Sequence, residues 1–234
     1  MVHPARSVVR LPPIECLIFD FDGVIVDSDP LHAEAYRRAF ARHGIDMNEK
    51  DYVERAKGRG RGEVVALIGS ALSDAARADV ARVKTREARA LIEEGGLAPV
   101  DSVVAFLRAA RARQLPLAVA STSEIAGIAV EALGLTPLFD VVCARRAADR
   151  AKPHPDVFER AIHSLGRRSE SCLVVEDTPV GVRAARACGA PVVVRGPRTD
   201  AWPAPIARDV LFFFDDYAQL HHRLGWGRLP GSEA

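Results

Sequence analysis

Short, wholly apolar runs alternate along this chain with stretches in which apolar residues recur every three or four positions. The runs Cys16–Phe19, Leu115–Ala120, Val141–Ala144, Cys172–Val175, Pro191–Val194 and Val210–Phe214 have the length and residue types of buried strands. Between the first and second runs the pattern is helical. Pro30–His43 places Leu31, Ala35, Ala39 and Phe40 on one face, with Pro30 in a first turn and Ser28 or Asp29 as its cap. Helical spacing continues through Glu63–Leu72 and Ser73–Glu94, and no strand is predicted between Leu31 and Leu97. Further helices are predicted over Val100–Arg113, Ile125–Gly134, Pro155–Leu165 and Pro179–Cys188, the last ended by Gly189. Arg195–Pro205 is proline-rich and reads as a loop. Strand–helix alternation with short connections predicts an α/β fold. Its sheet should be doubly wound, mostly parallel, covered on both faces and joined by right-handed crossovers.

At 234 residues the chain can bury a sizeable core and can hold one domain with a large insertion, or two small ones. A composition of 48% hydrophobic and 27% charged residues is that of an ordinary globular protein. The net charge of +1 gives no basis for a nucleic-acid or anionic-membrane partner. No stretch approaches the roughly 18 apolar residues of a membrane-spanning helix. Cys16, Cys143, Cys172 and Cys188 lack metal-ligand spacing, and a reduced, cytoplasmic setting is expected. Residues 1–13 are polar and lack an apolar signal core, so they read as an N-terminal tail.

Asp20 and Asp22 follow the first apolar run, and Gly23 bends the chain after them. That puts both carboxylates at the C-terminal edge of the sheet, where open α/β sheets bind ligands. Two close carboxylates repel one another, so a cation, a shared proton or both must compensate.

Phe19-Asp20-Phe21-Asp22-Gly23-Val24 resembles the first motif of the haloacid dehalogenase-like (HAD) superfamily, and three later stretches resemble its other motifs in the same order. Ser121 ends the second strand. Lys152 lies in Ala-Lys-Pro-His-Pro-Asp-Val-Phe. Glu176 and Asp177 precede Thr178-Pro179-Val180-Gly181. The resemblance spans roughly 14–194. It implies a Rossmann-like core domain over 14–27 and 98–224, with a small all-helical cap domain inserted over 28–97. It further implies a phosphohydrolase acting on a small phosphorylated metabolite, a sugar or polyol phosphate. Asp20 would be the nucleophile that becomes an aspartyl-phosphate, and Asp22 the acid/base. Ser121 would bond the phosphoryl group, with Thr122 beside it, and Lys152 would pair with Asp20 and the phosphoryl oxygens. Mg²⁺ would sit on Asp20, the Asp22 carbonyl and Asp177, with Glu176 binding it directly or through water. Halide-displacing and phosphonate-cleaving members lack the second aspartate, so the presence of Asp22 points to phosphate esters.

In the cap, His32 stands where related mutases and phosphatases carry a histidine that assists the acid/base or touches substrate. Arg61, in the basic stretch Lys57–Arg61, matches the arginine with which β-phosphoglucomutase-like members bind a distal phosphate, and Lys84 matches a cap lysine. Each also has a plainer reading as a solvated charge. At the cap's exit Ala98-Pro99-Val100-Asp101 departs from the usual Pro-Gly, which weakens transfer of any one substrate. A β-phosphoglucomutase-like mutase and an inactive HAD-fold binding module are the alternatives. The protein is expected to be a monomer or a small homo-oligomer.

Overall fold

The protein is described by a computed structural model over residues 12–57, 59–147, 149–199 and 202–231. Most of the expected N-terminal tail and Gly58 of the basic stretch lie outside the described residues.

Six strands form one parallel sheet: β1 (Cys16–Phe19), β2 (Leu117–Ala120), β3 (Val141–Cys143), β4 (Cys172–Glu176), β5 (Val192–Arg195) and β6 (Val210–Phe214). Their spatial order is β3-β2-β1-β4-β5-β6, and every neighbouring pair is parallel. β1 is central, and Ile18 sits opposite Ala118 on one side and Val174 on the other. Strand alternation divides the side chains between two faces. Leu17 and Phe19 join one cluster with Phe106, Val175 and Tyr217, whereas Cys16 and Ile18 join another with Phe158 and Val174. Phe19 is fully buried, a burial that contributes roughly 1.5–3 kcal/mol. Helices α5 (Val103–Ala112), α6 (Ala126–Ala132) and α10 (Tyr217–Arg223) cover the first face. Helices α7 (Asp156–Ser164), α8 (Pro179–Ala187) and α9 (Ala204–Asp209) cover the second.

The block between β1 and α5 carries α1 (Asp29–Ala41), α2 (Glu49–Arg55), α3 (Arg61–Ile68) and α4 (Asp74–Glu93), and no strand among the described residues. These helices pack on their own cluster around Tyr36, Phe40, Met47, Val64 and Val80. Leu31, Ala35, Ala88 and Ile92, on the long pair α1 and α4, belong instead to the sheet's cluster and tie the block to it. The two chain crossings run side by side: Val26 forms an antiparallel bridge with Pro99, and the Val100 amide donates to the Ile25 carbonyl at 2.8 Å.

Several local expectations need correction. Ser28 occupies the cap position of α1, but with helical φ and ψ it makes no side-chain cap bond, and its side chain stands near the Asp22 carboxylate. α5 starts at Val103, not Val100, because the Val100 amide is committed to Ile25 and Ser102 adopts a left-handed φ of 59°. α2, α9 and α10 were not predicted. α2 begins with a reciprocal cap between Asn48 and Asp51, and α9 opens inside the stretch read as loop.

Candidate active site

The C-terminal ends of β1 and β4 meet where the strand order reverses, and Asp20, Glu176 and Asp177 gather there. The Asp20 amide donates to Val175 of β4 at 2.9 Å, holding the end of β1 in place. The chain then folds tightly on itself, and the Phe21 carbonyl accepts from the Ile25 amide at 2.9 Å. Gly23 takes a left-handed φ of 73°, and a Cβ there would collide with the Asp177 carboxylate. Two donors outside the turn grip it: Arg195 Nη1 bonds the Gly23 carbonyl at 2.8 Å, and the Tyr217 hydroxyl bonds the Val24 carbonyl at 2.9 Å.

Lys152 Nζ is buried between Asp20 Oδ1 at 2.7 Å and Glu176 Oε1 at 2.6 Å, over the ring of Phe158. The other Glu176 oxygen accepts from the Asp177 amide at 2.9 Å and from the Thr178 amide and hydroxyl, each at 3.0 Å. Both oxygens of this fully buried carboxylate are therefore engaged by the protein. Gly181, on the first turn of α8, makes room for it, since a Cβ there would overlap the Glu176 carboxylate.

Asp177 is differently placed. Its Oδ1 is buried and has no hydrogen-bond partner among the described residues. One oxygen each from Asp20, Glu176 and Asp177 falls within 4.8 Å of the others. Burial raises the Asp20 pKa from 3.8 to about 7, the Lys152 charge opposing it and Glu176 and Asp22 adding to it. Burial, then Glu176 and Asp20, also push Asp177 well above the ordinary carboxylate range. Burial disfavours the Lys152 charge, but Asp20 and Glu176 outweigh it and the ammonium is held protonated. One lysine thus faces three carboxylates, and an oxygen is left without a donor. All-oxygen donors with a surplus of negative charge fit a hard divalent cation.

A second group of residues extends from this cluster into α1 and α4. His32 Nε2 is 3.4 Å from Asp22 Oδ1, and His32 Nδ1 is 3.2 Å from Lys84 Nζ. Burial raises the pKa of Asp22, but the bonds from His32 and Ser28 and the charges of His32 and Lys84 bring it down to about 2. Burial lowers Lys84 to about 8. Arg61, the first residue of α3, bonds Thr85 Oγ1 at 2.7 Å and forks onto Glu124 at 3.1 and 3.0 Å.

One cavity of about 800 Å³ joins the two groups and is lined by Asp20, Asp22, His32, Arg61, Lys84, Thr122, Lys152 and Asp177. Ser121 directly follows β2 and is 1% exposed; its Oγ accepts from the Ser123 amide at 3.0 Å and retains its own proton to donate. Of the site residues expected from the sequence, Asp20, Asp22, His32, Arg61, Lys84, Thr122, Lys152 and Asp177 line the cavity, Glu176 lies in the buried acidic cluster, and Ser121 is buried next to Thr122 without lining the cavity. Glu124, Arg145 and Arg195 line the cavity too and were not anticipated. Arg195 carried a signal, since it ends an apolar strand and so reaches the same sheet edge.

Comparison with known proteins agrees with this arrangement. The sequence model of the haloacid dehalogenase-like hydrolase family matches residues 14–189. Phosphoglycolate phosphatase of Rhodospirillum rubrum is 33% identical over 94% of this chain and 94% of its own length. Fructose-1-phosphate phosphatase YqaB of Escherichia coli is 32% identical over 74% of this chain and 92% of its own. Among solved structures, CbbY from Rhodobacter sphaeroides in complex with xylulose 1,5-bisphosphate superposes with a TM-score of 0.76. It is 26% identical and covers 88% of this chain and 96% of its own. With the six-stranded parallel sheet and the motif residues meeting at its central edge, this chain belongs to the haloacid dehalogenase-like hydrolase family.

Proposed function

We propose that this protein is a Mg²⁺-dependent phosphohydrolase of small phosphorylated metabolites, sugar or polyol phosphates, working through an aspartyl-phosphate. The observation that carries the reading is the separation of two neighbouring aspartates into different environments. Asp20 lies against Lys152 among the acidic groups, while Asp22 pairs with His32. Chemistry with a nucleophile and a distinct acid/base needs such a division.

Asp20, Asp177 and the Asp22 carbonyl would hold Mg²⁺, which supplies charge neutralisation for the phosphoryl oxygens and keeps Asp20 ionised. Glu176 is spent on Lys152 and on backbone donors, so its part is to orient Lys152 and to complete the charge of the cluster. An Asp20 oxygen attacks phosphorus, and the bond from phosphorus to the leaving oxygen breaks. Asp22 gives its proton to that oxygen. A bound phosphate dianion raises the pKa of Asp22 by like-charge repulsion, so the carboxyl takes up a proton from solvent as the substrate binds, with His32 Nε2 3.4 Å away to orient it. Asp22, now a carboxylate, then takes a proton from water as the water attacks the aspartyl-phosphate. The bond from phosphorus to Asp20 breaks, and inorganic phosphate leaves. Lys152, the Ser121 hydroxyl and Thr122 stabilise the phosphoryl oxygens.

Residues 28–97 would act as the cap domain on a core of 14–27 and 98–224. Closure excludes water from the reacting groups. Free cysteines, three of them buried, support a cytoplasmic setting. The mutase alternative requires Arg61 to hold the phosphate that is not being transferred, yet its guanidinium already bonds Glu124 and Thr85, which favours hydrolysis. A phosphate-release screen over sugar phosphates, with Mg²⁺ and with chelator, tests the proposal. Conversion of β-glucose 1-phosphate without phosphate release would support the mutase. No turnover of any ester, including an aryl phosphate, would support a binding module.

A further inference from the structure

Arg61 and Glu124 come from opposite sides of the cavity. Arg61 begins α3 in the helical block, and Glu124 lies in the loop between β2 and α6. They meet in a two-pronged ion pair, with both guanidinium Nη atoms on the two carboxylate oxygens. Such paired geometry is also how arginine holds a phosphate, so the prongs that a second phosphate would use are already filled. Neither residue is sealed away, with side chains 32% and 45% exposed, and both line the same cavity as Asp20. The bonds from Arg61 hold the Glu124 pKa below its ordinary value, so the carboxylate stays charged at neutral pH. Arg145 and Lys84 stand near enough to add to this effect.

Resting on the phosphatase reading above, we propose that Glu124 is a specificity-determining residue. By occupying Arg61 it selects phosphate monoesters whose far end is uncharged and hydroxyl-bearing, and it turns away substrates with a second phosphate. A phosphate reaching Arg61 would have to displace a carboxylate that remains beside it. A hydroxyl group can accept from Arg61 or donate to Glu124 without parting them. Selection through an adverse charge acts on the difference between two substrates and not on turnover in general.

The test compares matched esters that differ only in the second phosphate: fructose 1-phosphate with fructose 1,6-bisphosphate, and glucose 1-phosphate with glucose 1,6-bisphosphate. The readout is the ratio of kcat/KM, or the ratio of inhibition constants against p-nitrophenyl phosphate hydrolysis where turnover is slow. A general loss of activity leaves either ratio unmoved. The wild-type protein should favour the monophosphates by about tenfold or more. Glu124→Gln keeps the shape, removes the charge and should cut that preference about tenfold. Glu124→Lys should reverse it. Hydrolysis of p-nitrophenyl phosphate together with an unchanged ratio in both variants, or with a wild-type preference for bisphosphates, overturns the assignment of Glu124 alone. An equal loss on both members of a pair also overturns it and makes the ion pair a closure contact. Absence of Mg²⁺-dependent hydrolysis of p-nitrophenyl phosphate by the wild-type protein overturns the phosphatase reading and takes this proposal with it.

Discussion

The Lys152 ammonium lies 2.7 Å from Asp20 Oδ1 and 2.6 Å from Glu176 Oε1, and all three groups are buried. Removing one member of such a set leaves uncompensated charge in a low-dielectric site. Lys152→Met should therefore destabilise the metal-free protein by about 3–5 kcal/mol near pH 8 and abolish turnover. Urea unfolding checks the first effect. Part of the loss should be recovered at pH 5, below the raised pKa of Asp20, where that carboxylate takes up a proton.

Asp20→Asn removes the attacking charge while nearly keeping the shape. Activity should fall to background, and no acid-stable, base-labile phosphate adduct should form on the protein. Rapid quench with a ³²P-labelled ester checks this, and substantial turnover by the variant would end the covalent mechanism.

The response to Mg²⁺ should depend on pH in a fixed direction. The folded-state pKa of Asp20 is raised from 3.8 to about 7, so the metal-free fold binds more protons than the unfolded chain between those values. The stability this contributes is fully present below about pH 4 and is lost as pH rises through about 7. Asp177 shifts in the same direction. Protons and Mg²⁺ compete for the same oxygens, so Mg²⁺ should stabilise little at pH 5 and most at pH 8. At a hundred times its Kd the ion adds about 2.7 kcal/mol, a rise of roughly 5–10 °C in Tm. Thermal melts at both pH values, with Asp177→Ala as the control, measure it. An equal shift at pH 5 and pH 8 would count against these ligands.

Gly23→Ala tests the turn that follows the nucleophile. A left-handed φ costs a non-glycine residue about 1–2 kcal/mol, and the new methyl would push on Asp177. Gly134 also has a left-handed φ, 66°, but open space around its absent Cβ. Gly134→Ala should therefore incur only the backbone penalty and keep its Mg²⁺ response, while Gly23→Ala should lose that response. Melts of both variants with and without Mg²⁺ separate the two effects.

The legible parts of this protein are those with a local cause. All six strands were visible as continuous apolar runs, because a parallel sheet buried on both faces leaves polar positions only at strand ends, such as Glu176 and Arg195. The carboxylates and Lys152 were visible because each stands at a strand end or in a short proline-bounded loop. α2 was hidden because its seven residues bury only Tyr52, which leaves no periodicity to read. Glu124 was hidden for another reason. Alone it is an ordinary surface acid, and its meaning comes from Arg61, 63 residues earlier and on the other side of the cavity. The expected cap of α1 fails because Ser28 makes no side-chain bond to the helix end and stands instead near the Asp22 carboxylate.

The pairing of Val26 with Pro99 means that the helical block leaves the sheet and returns to it at a single doorway. Its two ends are already neighbours, so the chain enters and leaves the block within one bridge and one hydrogen bond. The apolar contact of Leu31, Ala35, Ala88 and Ile92 with the sheet's cluster lies apart from Asp20, Lys152 and Asp177, which are held by β1, β4 and the loop before α7. The acidic cluster is thus built wholly by the sheet side of the doorway, and the block reaches it only through side chains such as His32 and Lys84.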